Sequence, residues 1–169
     1  QDDFETFDVM RKSQFLIWDL PLLESYWQDL QEGKAQGRNL VMEKYAYMME
    51  STAPKEYEAI ATGLPKISEE KQAMVEQIVA IQVGWREEFA EKYPHLSGQA
   101  RIIHTSEDTL YDISFETYLR GELKTYSMQT LVLYGRRIVA FVQEQKNMTE
   151  EIMRYTTAFY GYKTLEDAE

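Results

Sequence analysis

Two charged residues, Glu122 and Arg137, sit among apolar positions in residues 114–147, a stretch without proline that reads as one long helix. Phe115, Leu119, Leu123, Tyr126, Thr130, Leu133, Ala140 and Phe141 recur there at helical spacing. At about 100° per residue they form one stripe, and Glu122 and Arg137 fall within about 50° of its centre. A charge facing a core needs a partner, because an unpaired buried charge is too costly to keep. On one continuous helix the two lie about 22 Å apart and cannot pair with each other. The first helix offers Arg11 and Gln14, which share a face with Phe4, Phe7, Met10, Phe15 and Trp18. Arg11 is the natural partner for Glu122, with Tyr118 and Tyr126 one turn away on either side as hydroxyl donors. Gln82 intrudes in the same way on the stripe of Met74, Ile78, Ile81, Trp85 and Phe89. Arg137 has no partner by this reasoning: it faces solvent or a neighbouring subunit, or the helix has rotated or ended before it.

Arg11, Gln14, Gln82, Tyr118, Glu122 and Tyr126 are therefore the candidate ligand-binding residues. One account is structural, a satisfied ion pair that fixes helix register. The other is an inner pocket for a small polar or anionic ligand, with Arg11 holding an anionic group and Glu122 a cationic one. The structural account is favoured. An enzyme using Glu122 as general acid or base, with Tyr126 or Arg11 nearby, is a further alternative that geometry has to support first. No catalytic residue is assigned.

Other chemistry has less support. Glu43 and Glu50 lie seven apart on one helix, as di-iron carboxylates can, but the Glu-x-x-His repeats of such bundles are missing and no metal site is assigned. Both are expected on a solvated face opposite Val41, Tyr45, Met48 and Met49. There is no Cys, no Gly-x-Ser-x-Gly elbow and no Gly-rich phosphate loop, and no cofactor is expected. Asn147-x-Thr149 reads as a helix start rather than a glycosylation acceptor. Glu116 and Arg120 are spaced for an exposed i,i+4 salt bridge, and Arg101 is expected to point at the long helix.

These residues need helices to position them. Four prolines among 169 residues punctuate the chain. Helix one spans residues 2–18, with Asp2 and Glu5 as a capping box. Pro21 starts a second helix that ends near Gly33. Asn39 caps a third, Pro54 opens a short one, and Ser68 caps one running to Tyr93. Residues 94–113 are irregular, and 101–104 resemble a short strand without a partner. A helix from Met148 to Tyr160 follows the long one, and Thr164 with Asp167 caps a last turn. The expectation is an all-α, single-domain irregular bundle over residues 1–169, with six or so helices around a long central helix.

The net charge of −11 is spread along the chain and disfavours nucleic acid and anionic membranes as partners. Arg120, Lys124, Arg136 and Arg137 are expected to form a local positive patch. No apolar run approaches the ~20 residues of a membrane span. The lack of Cys suits a reducing compartment. The chain begins at Gln1 rather than Met, so upstream residues are expected.

The blocks over residues 2–15, 37–50, 116–127 and 160–166 together resemble a bacterial family, domain of unknown function 4125. That resemblance covers nearly the whole chain. It implies a bacterial, cytoplasmic protein whose relatives extend upstream, and it brings no activity or catalytic residue. The expected function is a helical module that binds a small polar or anionic ligand or a protein partner. A regulatory subunit of a larger complex and a homo-oligomer are further options. An exposed patch rich in Trp27, Tyr47 or Tyr160 would favour a protein partner.

Overall fold

Short polar side chains set the helix starts in the computed structural model, which describes the backbone of residues 2–169 and side chains from Phe4 onward. The Asp2–Glu5 capping box lies outside the described side chains. Asp19, Asn39, Ser68, Ser114, Ser127, Asn147 and Thr164 each accept a backbone N–H from the first turn that follows. Such a bond satisfies an amide that the helix itself cannot. The helices are α1 (Asp2–Leu16), α2 (Leu20–Ala35), α3 (Leu40–Thr52), α4 (Pro54–Ile60), α5 (Glu69–Lys92), α6 (Pro94–Gly98), α7 (Phe115–Thr125), α8 (Met128–Gln143), α9 (Met148–Phe159) and α10 (Leu165–Ala168). No strand occurs among the described residues. Among the described residues ten helices replace the expected six or so: residues 114–147 split in two, the short α6 forms in a segment read as irregular, and the expected short helix α4 and last turn α10 add to the count.

That split corrects the single long central helix. Tyr126 is extended (φ −71°, ψ 148°), and Ser127 begins a new helix by accepting the Thr130 N–H at 3.2 Å. The Ser127 N–H donates to Asp29 Oδ2 at 2.9 Å. Lys71 caps the end of α7 by donating to the carbonyls of Lys124 (2.9 Å) and Tyr126 (2.5 Å). The apolar stripe continues through the break, so hydrophobic periodicity alone cannot reveal it. Arg137 sits in the second piece, where its Nε donates to the Ile17 carbonyl at 2.7 Å, just past the end of α1.

The main core joins Ile17, Leu22, Val75, Ile78, Val79, Leu123, Leu131, Tyr134, Ile138 and Met148, and Phe89, Tyr93 and Leu165 form a smaller cluster. The inner face of α5 buries Ile78, Trp85, Phe89 and Gln82 of the expected stripe and adds Val75 and Val79, whereas Ile81 is exposed. Helix α7 packs on α3 and α5, α8 on α2 and α5, and α1 on α9. Two expected faces differ. Phe4 (82% exposed), Phe7 and Met10 stay in water while Phe15 and Trp18 turn inward, because only the end of α1 reaches the core. On α3 the buried residues are Tyr47 and Met48, and Tyr45 is exposed.

The segment between α6 and α7 has no strand, yet it is tied down. The carbonyls of Ile102 and Ile103 accept the N–H groups of Phe115 (2.7 Å) and Glu116 (3.0 Å), serving the first turn of α7. Asp108 accepts from Ser51 Oγ (2.6 Å), the Ser114 N–H (2.7 Å) and the Thr117 hydroxyl.

Candidate functional site

One face of α7 carries Phe115, Tyr118 and Glu122, spaced three and four residues apart and therefore aligned. Each meets a cation from a different element. From α1, Arg11 Nη1 donates to Glu122 Oε1 at 2.8 Å and to Gln14 Oε1 at 3.0 Å, and Nη2 donates to the Tyr26 hydroxyl at 3.1 Å. From α3, Lys44 Nζ lies 3.9 Å from Glu122 Oε2 and 3.7 Å from the Tyr118 ring centroid. From the loop before α7, Arg101 places its guanidinium carbon 4.4 Å from the same ring and donates to the Ile113 carbonyl at 3.0 Å. From α5, Arg86 stacks 4.8 Å from the Phe115 ring centroid. Contacts of this kind are worth about 0.5–2 kcal/mol, depending on how dry they are.

The pair inferred between Arg11 and Glu122 is present, and Arg101 does reach α7. The tyrosine roles need correction. Tyr118 shares its hydroxyl hydrogen bond with Tyr45 (3.1 Å), and Tyr126 packs edge-on against Tyr26, Trp18 and Tyr134. Glu122 draws its charged partners from Arg11 and Lys44 instead. Gln82 is not gathered at Glu122: it accepts from the Tyr134 hydroxyl at 2.5 Å, behind that aromatic layer. Lys44, Arg86 and Tyr26 were not among the sequence candidates. Lys44 is the nearest to legible, since it lies one turn before Met48 on the face that α3 presents to α7.

Burial dominates the electrostatics. It lowers the Lys44 pKa to about 8; Glu122 raises it, and Arg11 and Arg101 lower it further. Arg11 stays above its ordinary value, since Glu122 and the neighbouring tyrosines outweigh its burial. Burial pushes Tyr118 up to about 12 and lifts Tyr126 well above the usual tyrosine range. Between pH 8 and about 10 the unfolded chain holds a proton on Lys44 that the folded chain has released. Stability should therefore rise with pH across that window, at up to about 1.4 kcal/mol per pH unit. Above about pH 10 the sign reverses, because unfolded tyrosines ionise before the folded ones. Urea midpoints at pH 7.5 and 9.5 check this: the native chain gains stability, and Lys44→Met gains clearly less, keeping only the part that Lys71, also lowered by burial, supplies.

The opposite face of α7 borders a polar cleft of about 460 Å³ walled in part by Glu50, Glu76, Glu116, Arg120 and Lys124. Its cations are all paired. Arg120 forks onto Glu76 (2.8 and 3.1 Å) and also reaches Glu116 (3.2 Å) and Thr105 (3.0 Å), while buried Lys124 meets Glu50 at 3.3 Å. The Glu116–Arg120 bridge is thus part of an interhelix cluster, not an isolated surface pair. Glu50 is exposed, as expected, although it meets Lys124, whereas Glu43 is partly buried and takes both its bonds from Arg38 (3.1 and 3.0 Å). The positive patch expected from Arg120, Lys124, Arg136 and Arg137 does not form. Two of the four are ion-paired, and Arg137 serves a carbonyl.

The described residues form an all-helical fold, in which α1, α3 and α7 bring Arg11, Lys44 and Glu122 together. The chain belongs to the family described as protein of unknown function (DUF4125), whose model matches residues 1–169. No curated protein and no solved structure matches it. No helix among the described residues is long and apolar enough to cross a membrane.

Proposed function

We propose that this chain is a helical binding module that takes a small anionic ligand beside Arg11, Gln14, Tyr118 and Glu122. The supporting observation is the convergence of Arg11 and Lys44 on the single carboxylate of Glu122. A structural pair needs one cation, and a second, half-desolvated one raises the cost of the site unless further negative charge arrives. The arrangement serves catalysis poorly. Glu122 is engaged by a guanidinium at 2.8 Å, which occupies the carboxylate oxygen that a general base would present to a substrate. Thermal-shift screening of metabolite anions tests the reading. Selective stabilisation of the native chain by a few degrees is expected, reduced in Arg11→Met and Glu122→Gln. If no anion stabilises the native protein selectively, the reading fails.

A protein partner is the second reading, supported by exposed side chains on α1 and at the end of α9. Phe7, Phe159 and Tyr160 are at least half exposed, and the Tyr160 hydroxyl reaches Thr6 at 3.5 Å. Trp27 is also exposed, whereas Tyr47 is buried. Phe7→Ser with Tyr160→Ser should leave stability within about 0.5 kcal/mol while abolishing any self-association seen by analytical ultracentrifugation.

A further inference from the structure

Arg86 and Arg101 stand out in a chain that carries 29 acidic and 18 basic residues. Arg11, Arg38, Arg120 and Arg154 each hold a carboxylate, and Arg137 holds a carbonyl. Among the described residues, Arg86, Arg101 and Arg136 are in no ion pair, although acid is plentiful; Arg136 is exposed and Arg101 gives one N–H to the Ile113 carbonyl, while Arg86 and Arg101 both lie over aromatic rings of α7. Glu87, next to Arg86 in sequence, is turned instead to His104 at 3.1 Å.

The two arginines are also neighbours. They stack on Phe115 and Tyr118, which lie one turn apart on the same face of α7. Burial and the charge of Arg101 together lower the Arg86 pKa to about 10. Lys44 joins them: it and Arg101 approach the same Tyr118 ring, which puts the two positive groups within about 8 Å of each other. The carboxylate nearest to Lys44, Glu122, is already engaged by Arg11. Three cations supplied by α3, α5 and a loop thus gather along one face of α7, and among them only Lys44 has a carboxylate within 4 Å. Like charges held this close repel, and an anion placed between them removes the repulsion. Stacking on a ring face leaves the N–H edge of a guanidinium free to fork onto a phosphate or carboxylate. The first-turn amides of Phe115 and Glu116 are already used by Ile102 and Ile103, so the side chains carry this recognition.

We infer that Arg86 and Arg101, with Lys44 beside them, hold a doubly negative group, a phosphate monoester or a dicarboxylate, of the ligand that the Arg11–Glu122 cluster receives. This rests on the ligand-binding reading above and names the chemical class that reading leaves open. The shared chemistry is two negative charges within reach of two planar guanidinium forks.

The experiment uses the full chain with inorganic phosphate, succinate and acetate as probes at low ionic strength, read by calorimetric titration and thermal shift. Phosphate, succinate or both should bind the native protein at least tenfold more tightly than acetate. Arg86→Met and Arg101→Met should each weaken dianion binding about tenfold, and the double variant should abolish it. Without any dianion, Arg86→Met should be as stable as the native chain or more so, since it removes a repulsion; with phosphate or succinate the native chain should overtake it. Equal destabilisation of Arg86→Met with and without dianion would make Arg86 a purely structural stack and overturn the inference. If acetate binds as well as the dianions and responds only to Arg11→Met or Glu122→Gln, the inference falls while the ligand-binding reading stands. If no anion binds, both fall. Preference for phosphate over succinate, or the reverse, separates the two sources of the dianion.

Discussion

Glu122→Gln is expected to cost about 3 kcal/mol of stability and to lower the melting temperature by roughly 10 °C. The carboxylate is nearly buried and holds two cations, Arg11 at 2.8 Å and Lys44 at 3.9 Å. Its amide replacement leaves two partly desolvated positive groups facing each other. Breaking a buried pair in this way costs about 3–5 kcal/mol, and the solvent reach of Arg11 puts this site at the lower end. Lys44 will partly relieve the strain by losing its proton, so its pKa should drop below the native value of about 8. Arg11→Met should cost less, about 1–2 kcal/mol, because Lys44 remains to neutralise Glu122. Urea denaturation of the two variants and their double mutant gives the ordering and the coupling. A larger loss for Arg11→Met than for Glu122→Gln would mean that Lys44 does not serve Glu122.

Gly121→Val should be as damaging, at about 3 kcal/mol, for a steric reason. A Cβ at this position would lie 2.8 Å from Met48 Cγ and 3.0 Å from the Lys44 carbonyl oxygen. The Met48 side chain can yield a little, but the α3 backbone can move only as a unit. The helix-propensity gain of about 1 kcal/mol offsets part of the clash for Gly121→Ala, which should be only mildly destabilising. Valine leaves no such escape, and by pushing α3 outward it would carry Lys44 away from Glu122. The same movement opens Lys44 to water, and because burial is what lowers its pKa, loss of the Lys44-dependent rise in stability between pH 8 and 10 would report it. Gly84 provides the contrast. It also lies inside a helix, but a Cβ added there would meet nothing within 4 Å, so Gly84→Ala should stabilise by up to about 1 kcal/mol.

The cap residues and the prolines made most helix starts legible, because a cap is a local bond between residues two or three apart. The Arg11–Glu122 pair was legible for a different reason: each charge sat on an apolar stripe and needed an opposite one. The same reasoning failed for Tyr118 and Tyr126. Being one turn from Glu122 sets distance along a helix, but the hydroxyl goes wherever the neighbouring element offers a partner, here Tyr45 for Tyr118. It failed also at Tyr126–Ser127, where Ser127 looked like one more polar residue on a continuing helix. The bond from its N–H to Asp29 and the Lys71 cap on the preceding carbonyls come from α2 and α5, far away in sequence.

Sequence by itself therefore determined the helical class, most helix starts and the need for Glu122 to find a cation, since all three follow from short-range geometry and the cost of burying charge. Tertiary structure alone decided which cations assemble. Lys44 and Arg86 look like ordinary surface charges in the sequence, Arg101 only like a loop residue aimed at the next helix, and it is the packing of α3, α5 and the preceding loop on one face of α7 that turns them into a group. The same holds for the glycines. Gly84 and Gly121 read alike along the chain, yet α3 lies against Gly121 while the Cβ direction of Gly84 is open. Contact across helices, not position within one, fixes both what the site can bind and what it cannot tolerate.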